Sequence, residues 1–172
     1  MLKNIYTKSP AFYIQPFSHT QNKISTVTKT ELPKIINLFN AYRMETGKAS
    51  NINAVRSYLT ARVEQNESTL FLAQKQGQAV GFIQLFPQYG AISMKKKWYI
   101  QDLFLSPQHR QQGIAEQLLN KAKALAAEDG SKLFLKTKRT NQAAQALYKK
   151  HGFTIDSDDI TFEWQPKAPR AK

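Results

Sequence analysis

The chain has 172 residues, which suits one domain with a full hydrophobic core and leaves little length for a second. It contains no cysteine, so disulfides, thiolate metal sites and a cysteine nucleophile are excluded; its three histidines lack metal-ligand spacing, so we expect no metal. A formal charge of +13 suits a polyanionic partner such as nucleic acid, an acidic membrane surface or a phosphorylated ligand, or serves solubility alone.

Residues 1–23 are predicted to form an N-terminal extension, because they carry lysines but no acidic residue, two prolines and no clear periodicity. They lack the long apolar run of a secretory signal. No later run reaches the roughly 20 apolar residues of a membrane span, so we expect a cytoplasmic protein without a membrane partner. The polar residues 167–172 are predicted to be a frayed tail, which leaves a domain spanning residues 24–166.

The first half of this domain is predicted to contain strands and two helices. Alternating side chains predict a strand at 24–28, and Thr30, Leu32 and Pro33 mark the start of a helix. A second helix is predicted near 53–65. Strands at 69–74 and 79–86 flank a turn at 76–78 and form a hairpin, and another strand is predicted at 97–105.

The second half alternates helices and strands. A helix is predicted at 113–128 with Gly130 as its terminating residue, then a strand at 132–136 and a helix at 141–151. Short closing strands are predicted at 153–155 and 160–164. Hairpins followed by alternating elements predict an α+β domain with a mixed sheet rather than a doubly wound fold.

The segment from Arg110 to Ala115, RQQGIA, joins the predicted strand at 97–105 to the predicted helix. A helix N-terminus leaves N–H groups unpaired and carries partial positive charge. Gly113 lets the backbone approach a ligand closely, and Arg110 adds a charged fork of donors. The segment is therefore predicted to bind an anion such as pyrophosphate, although it is neither a Walker A loop nor the G-x-G-x-x-G fingerprint.

Two motifs in this order carry a resemblance to a known family. The pattern R-x-x-G-x-A at 110–115 and the pattern N-x-x-A-x-x-x-Y-x-x-x-G-F at 141–153 resemble the signature of the GCN5-related N-acetyltransferase (GNAT) superfamily. The resemblance covers about residues 24–165, and the stretches WYIQDLFLSPQHR and FNAYRMETGK are similar to one subset of the family. It implies a mixed, mostly antiparallel sheet flanked by about four helices.

The resemblance also implies an activity, the transfer of an acetyl group from acetyl-CoA to a primary amine by direct attack in a ternary complex. The pantetheine arm would lie along the strand that ends at residue 105, and the pyrophosphate would lie on the loop at 110–115. The implied cofactor-binding residues are Leu103, Phe104, Leu105, Arg110, Gln111, Gln112, Gly113, Ile114, Ala115, Asn141 and Tyr148.

Tyr148 is predicted to be the general acid, since a phenol with a pKa near 10 can protonate a departing thiolate. Without the surrounding motif, the same residue would be a core tyrosine of an amphipathic helix. The base is left open between Asp102, Glu45 and a water chain, because Gln101 stands where relatives often have a glutamate. His109 is interpreted as a solvated loop residue.

Two other functions compete with this interpretation. The charge would suit a nucleic-acid-binding module, but the lysines and arginines are dispersed and no nucleic-acid motif is present. A CoA-binding protein of the same fold without catalysis is the second alternative. The acceptor amine, on a small molecule or a protein, is left open, and a homodimer formed by the last strands is also left open.

Overall fold

The computed structural model describes residues 22–156 together with residues 162 and 164. The predicted tail at 167–172 lies outside the described residues, as do all but two residues each of the predicted extension at 1–23 and of the predicted strand at 160–164. The elements along the described range are β1 (Lys23–Thr26), α1 (Leu32–Glu45), α2 (Ile52–Glu64), β2 (Thr69–Lys75), β3 (Gln78–Gly90), β4 (Lys95–Leu105), α3 (Ile114–Glu128), β5 (Lys132–Leu135) and α4 (Gln142–Lys150).

The strands form a single sheet in which spatial order follows chain order, β1-β2-β3-β4-β5. The first three pairings are antiparallel and the pairing of β4 with β5 is parallel. Helices α1 and α2 bury Ile35, Phe39 and Leu59 against one face. Helix α3 buries Ile114 and Leu118 against the other face. The predicted α+β sandwich, with a mixed and mostly antiparallel sheet flanked by four helices in the described range, is confirmed.

Glycines in the left-handed region follow the ends of α3 and α4. Gly130 has φ +65°, and the next N–H, from Ser131, donates to the Ala126 carbonyl at 2.8 Å, which closes α3 as predicted. The predicted strand at 153–155 is wrong, because residues 153–156 have no regular structure. Gly152, at φ +82°, reverses the chain, and the Phe153 N–H donates to the Tyr148 carbonyl at 3.0 Å, so it caps α4 instead of joining a strand.

A β-bulge in β4 changes which face of the sheet its side chains meet. Gln84 of β3 pairs with Asp102 and Leu85 pairs with Ile100, so Gln101 has no partner of its own. Before the bulge, Ile100 belongs to the core under α3. After it, Phe104 belongs to the core under α1, and Asp102 accepts a hydrogen bond from α1.

The parallel strands β4 and β5 separate part-way along β4. Their pairing runs from Lys97 opposite Lys132 to Ile100 opposite Leu135, where β5 ends. Strand β4 continues to Leu105 while still paired to β3 on its other side. The backbone of residues 101–105 therefore has N–H and C=O groups on the β5 side that no strand of the described sheet uses.

Gly81 allows the end of β4 to approach β3 closely. A Cβ at this position would lie 2.1 Å from Leu105 Cδ2 and 2.9 Å from the Phe104 carbonyl oxygen. We expect Gly81→Ala to lower the free energy of unfolding by about 1–3 kcal/mol, the usual cost of overpacking a core. Urea unfolding measures it. If steric contact is the cause, the same substitution costs less in a Leu105→Ala background; an equal cost in both backgrounds would refute the explanation.

Candidate active site

The loop between β4 and α3 has the backbone geometry of an anion site. Gln111 has φ +59° and Gly113 has φ +75°, both left-handed, and Gly113 is the residue that precedes the first turn of α3. The N–H groups of Ile114, Ala115 and Glu116 fall in that first turn, where no carbonyl of the same helix can pair with them. The first intrahelical bond runs from the Gln117 N–H to the Gly113 carbonyl at 3.1 Å. The free N–H groups and the helix dipole favour a negative charge at this end.

The space beside Gly113 is open. A Cβ built at this residue would meet nothing within 4 Å, so a ligand can come against the backbone there. Glycine is also required by the positive φ, because side chains strain this conformation. This geometry suits an anion, and the predicted binding of a pyrophosphate at 110–115 stays a prediction.

Lys75, at the end of β2, supplies a cation to this loop. Its Nζ donates to Gln112 Oε1 at 2.9 Å, and Gln112 Nε2 donates to the Gln108 carbonyl at 3.0 Å. The amide of Gln112 therefore braces the loop from within, and a lysine stands beside the predicted pyrophosphate site. Sequence analysis did not find Lys75, because it lies 37 positions from Gln112.

Arg110 points along the end of β4 and binds protein groups. Its Nε donates to the Leu105 carbonyl at 3.1 Å, and its Nη2 forms an ion pair with Glu45 Oε1 at 2.5 Å. Its guanidinium lies 5.9 Å from the centre of the Phe104 ring. Glu45, a candidate base, is thus brought to the cofactor loop and not to Asp102.

Asn141 caps the N-terminus of α4. Its side-chain oxygen accepts a hydrogen bond from the Ala144 N–H at 3.1 Å, which satisfies one free donor of the helix. The side chain is exposed. Its predicted contact with the cofactor stays a prediction.

The free stretch of β4 contains the three residues predicted to line the pantetheine arm. Leu103 and Leu105 pack with the core under α3, and Phe104 packs with the core under α1. With these side chains in the two cores, the unpaired backbone of the strand is what remains available to a ligand.

Tyr148 lies on α4 with its ring half-buried against the core under α3. The ring meets Phe153 edge to face, with centroids 5.8 Å apart. Burial raises the pKa of Tyr148 above its ordinary value, so the phenol stays protonated at neutral pH. Among residues 22–156 the hydroxyl has no hydrogen-bond partner, which leaves it free to donate to a ligand.

Asp102 lines an open cavity between β4 and the first two helices, with a volume of about 550 Å³. Its Oδ1 accepts a hydrogen bond from the Tyr42 hydroxyl at 2.6 Å. Burial raises the pKa of Asp102, and the hydrogen bond from Tyr42 partly offsets this. The pKa of Tyr42 is raised by burial and by Asp102, with a smaller contribution from Tyr148, so the two phenols lie within electrostatic reach of each other.

Several predicted and unpredicted residues therefore meet around β4. The structure places Asp102, Leu105 and the loop at 110–115 along one segment of chain, and it adds Tyr42 of α1, whose hydroxyl donates to Asp102. His109 is half-buried, and its Nδ1 lies 3.0 Å from the Ser106 hydroxyl, so it orders the loop internally instead of being fully solvated.

Two properties of the described residues bear on other classes of function. None of the helices in the described part of the chain is both long and apolar enough to cross a membrane. Within that same part, no three His, Cys, Asp or Glu side chains come together as a metal site would require.

The sheet opens between two parallel strands, beside the start of a helix whose first N–H groups have no partner within the helix. The model of the Acetyltransferase (GNAT) family matches residues 32–153, from the start of α1 to the residue that caps α4. The chain therefore belongs to the GNAT family and is an acetyltransferase.

Individual relatives agree with this assignment. The uncharacterized N-acetyltransferase YhfO of Bacillus subtilis (strain 168) is 37% identical over 126 residues, which cover 73% of this chain and 85% of YhfO. The crystal structure of a probable acetyltransferase is 28% identical and has a TM-score of 0.80, covering 86% of this chain and 99% of that one. A predicted acetyltransferase from Clostridium acetobutylicum, solved with acetyl-CoA, shares the fold at 16% identity, with a TM-score of 0.67 over 83% of this chain and 96% of that one.

The raised pKa of Asp102 predicts an effect on stability. Ionising this carboxylate costs more in the folded than in the unfolded protein, so its contribution to stability is lost as the pH rises through its folded pKa. We expect Asp102→Asn to raise the unfolding midpoint at pH 7. The gain shrinks as the pH falls through the raised folded pKa, and it has gone once the pH is below about 3.9, the ordinary aspartate pKa.

Asp129 provides a control of opposite sign. The hydrogen bond from Lys96 lowers the pKa of Asp129, so this carboxylate stabilises the folded state at neutral pH. Asp129→Asn should lower the midpoint at pH 7, and the loss should vanish as the pH falls through the folded pKa. Thermal unfolding of both variants between pH 3 and pH 8 measures the two trends, and a midpoint for Asp102→Asn at or below wild type at pH 7 would contradict the account.

Proposed function

We propose that the protein transfers the acetyl group of acetyl-CoA to a primary amine by direct attack in a ternary complex. The observation that carries the proposal is the course of β4. The strand passes the cavity at Asp102 and runs on to Leu105, beyond the end of β5, with only its β5-side edge unpaired. It then leads into the proposed anion-binding loop before α3. A ligand lying along this edge would have its phosphates at the loop and its other end beside the cavity.

The residues available to hold acetyl-CoA act mainly through backbone groups. The N–H groups of Gly113, Ile114 and Ala115 would bind the pyrophosphate, with Lys75 adding a positive charge nearby. Unpaired backbone groups of residues 103–105 would bind the pantetheine arm. Acetyl-CoA supplies the thioester, whose C–S bond breaks as a C–N bond to the amine forms.

Asp102 is the group we propose to take the proton from the acceptor. An amine is protonated at neutral pH and must lose a proton before it can attack. A carboxylate whose pKa is raised by burial is a stronger base than an exposed one, and Oδ2 is the oxygen that Tyr42 leaves free. Glu45 is the weaker choice because it is engaged by Arg110.

Tyr148 is the group we propose to protonate the departing thiolate. Its pKa is raised, its hydroxyl lies within electrostatic reach of Tyr42, and Phe153 holds its ring. These contacts support a positioned donor beside the opening of the sheet. The ammonium loses two protons in all: Asp102 takes the first before attack and passes it to solvent, and the second leaves the nitrogen for solvent as the tetrahedral intermediate forms the amide. Tyr148 gives its proton to the thiolate and regains one from solvent, so one proton is released per turnover.

Calorimetric titration with acetyl-CoA tests the cofactor site. We expect saturable one-to-one binding that persists in moderate salt, because backbone N–H groups on a helix start supply much of the contact. Gly113→Val should abolish this binding, since the new side chain fills the open space at a position of φ +75°.

Gly130→Val is the matched control at the other end of α3. Gly130 has φ +65°, and a Cβ placed there would likewise meet nothing within 4 Å, so the backbone strain is similar while the loop is untouched. This variant should lose stability and keep acetyl-CoA binding. Wild-type binding that vanishes with added salt, or an equal loss of acetyl-CoA binding in both variants, would show that the loop is not a pyrophosphate site. The nucleic-acid-binding interpretation would then be the better one.

Removal of the Tyr148 hydroxyl tests the acid. Tyr148→Phe keeps the ring against Phe153, so acetyl-CoA affinity should be unchanged, while turnover should fall by about 100-fold or more, as expected for a lost general acid. Thiol release under saturating substrates measures turnover, and Tyr89→Phe, on an exposed side chain of β3, is the control. Unchanged turnover without a pre-steady-state burst would disprove the assignment.

A further inference from the structure

The cavity at Asp102 has more positive than negative side chains, which is unusual for a site proposed to bind a protonated amine. Asp102 is the single acidic residue among those lining it, whereas Arg43 and Lys48 contribute two positive charges. Within residues 22–156 neither cation forms an ion pair with a carboxylate. The lining therefore has a net charge of +1 when Asp102 is ionised, which disfavours acceptors that carry several positive charges.

Arg43 presents a hydrogen-bond donor without an acceptor. Its Nη1 atom is buried and has no partner among the described residues. A buried guanidinium nitrogen left unpaired is costly, because it loses its contacts with water and gains none in return. Arg43 also lines the cavity, where its positive charge favours an anionic ligand group.

The backbone fixes the two cations beside each other. The C-terminal cap of α1 has Gly47 at φ +84°, and the Lys48 N–H donates to the Arg43 carbonyl at 3.0 Å. The Thr46 hydroxyl donates to that same carbonyl at 2.8 Å. The loop therefore leaves α1 in a defined direction, and Arg43 and Lys48 both line the cavity.

A buried asparagine holds the rest of this loop in place. Asn40 is 6% exposed, its Oδ1 accepts from the Asn51 N–H at 3.0 Å, and its Nδ2 donates to the Ser50 hydroxyl at 3.0 Å. Because a buried amide that is fully paired rigidifies its surroundings, the cations belong to a pre-formed site.

The remaining wall of the cavity is aromatic. Phe39 stands at the centre, with its ring centroid 5.9 Å from those of both Tyr42 and Tyr58. Phe86 of β3 completes this side. Such a surface suits an apolar, preferably aromatic, body.

We propose that the acceptor is a zwitterionic amine of the amino-acid type with a large apolar side chain. Its ammonium group lies against Asp102, its carboxylate against Arg43 and Lys48, and its side chain against the aromatic wall. This inference rests on the proposed acetyl transfer and specifies its acceptor. The atom balance is that of the same reaction, with the amine nitrogen acetylated and its proton passed to Asp102.

A comparison of three acceptors tests the proposal on the full-length protein with acetyl-CoA. L-Phenylalanine and phenethylamine share the amine and the aromatic body, but only the first has a carboxylate; spermidine is a polycation. We expect kcat/KM for L-phenylalanine to exceed that for phenethylamine by about tenfold or more, as a charge-assisted hydrogen bond provides. Spermidine should be the poorest acceptor.

Charge-removing variants locate the effect. Arg43→Gln and Lys48→Gln should each lower kcat/KM for L-phenylalanine by about tenfold, mainly because KM rises. The kcat/KM for phenethylamine, which has no carboxylate, should stay nearly the same. The phenethylamine activity therefore shows that each variant is folded. Arg56→Gln removes the same charge from an exposed position of α2 that does not line the cavity. This control should leave kcat/KM unchanged for both substrates.

Each failure has a separate meaning. Three outcomes would overturn the acceptor class while acetyl transfer stands. They are an equal kcat/KM for L-phenylalanine and phenethylamine, an equal fall in kcat/KM for both in Arg43→Gln, and a higher kcat/KM for spermidine than for L-phenylalanine. No transfer to any amino acid, with acetyl-CoA bound, would also overturn it. Absence of acetyl-CoA binding would instead overturn the proposed function itself.

Discussion

The extra residue at Gln101 determines how the two halves of this molecule meet. Side chains alternate strictly along a strand, so without the bulge Asp102 would follow Trp98 and Ile100 onto the apolar face under α3. A carboxylate there would lose the hydrogen bond from Tyr42. With the bulge, Asp102 reaches Tyr42 on the other face, and the strand still returns Leu105 to the α3 core. One inserted residue thus lets a single strand serve both a polar cavity and a continuous core.

The opening between β4 and β5 depends on the same strand. Parallel neighbours stay paired only as far as Ile100, and the next residue is the bulge, so the ladder is interrupted on both sides of β4 at nearly the same level. The free stretch is nevertheless held firmly, because β3 pairs with it up to Leu105 and Gly81 allows close contact there. Beyond Ile100, β4 therefore has unpaired backbone groups on its β5 side and is held in place by β3 on the other side. A ligand could bind to these groups without a large rearrangement of the strand.

Sequence patterns predicted most of the fold because most of its signals are local. The hairpin turn at Gly77 and the end of α3 at Gly130 both arise within a few residues, through glycines that accept a left-handed φ. Contacts between side chains that are far apart in the sequence could not be predicted in this way. The hydrogen bond from Tyr42 to Asp102 joins residues 60 positions apart, and the ion pair between Glu45 and Arg110 joins residues 65 apart. The bulge left only a one-residue change of phase, at Gln101 and Asp102, within a run that is otherwise apolar from Trp98 to Leu105.

The use of main-chain donors in the loop before α3 has a consequence for how this chain can change over generations. A ligand held by N–H groups constrains the path of the backbone and leaves most side chains free of direct contact. Only the glycine at φ +75° is tied to one amino acid, whereas Gln111, at φ +59°, could give way to Asn or Gly. Neighbouring positions can therefore change their side chains while the N–H groups of the loop keep their positions. In such a loop, the backbone path and Gly113 are constrained, whereas most of the side chains are not.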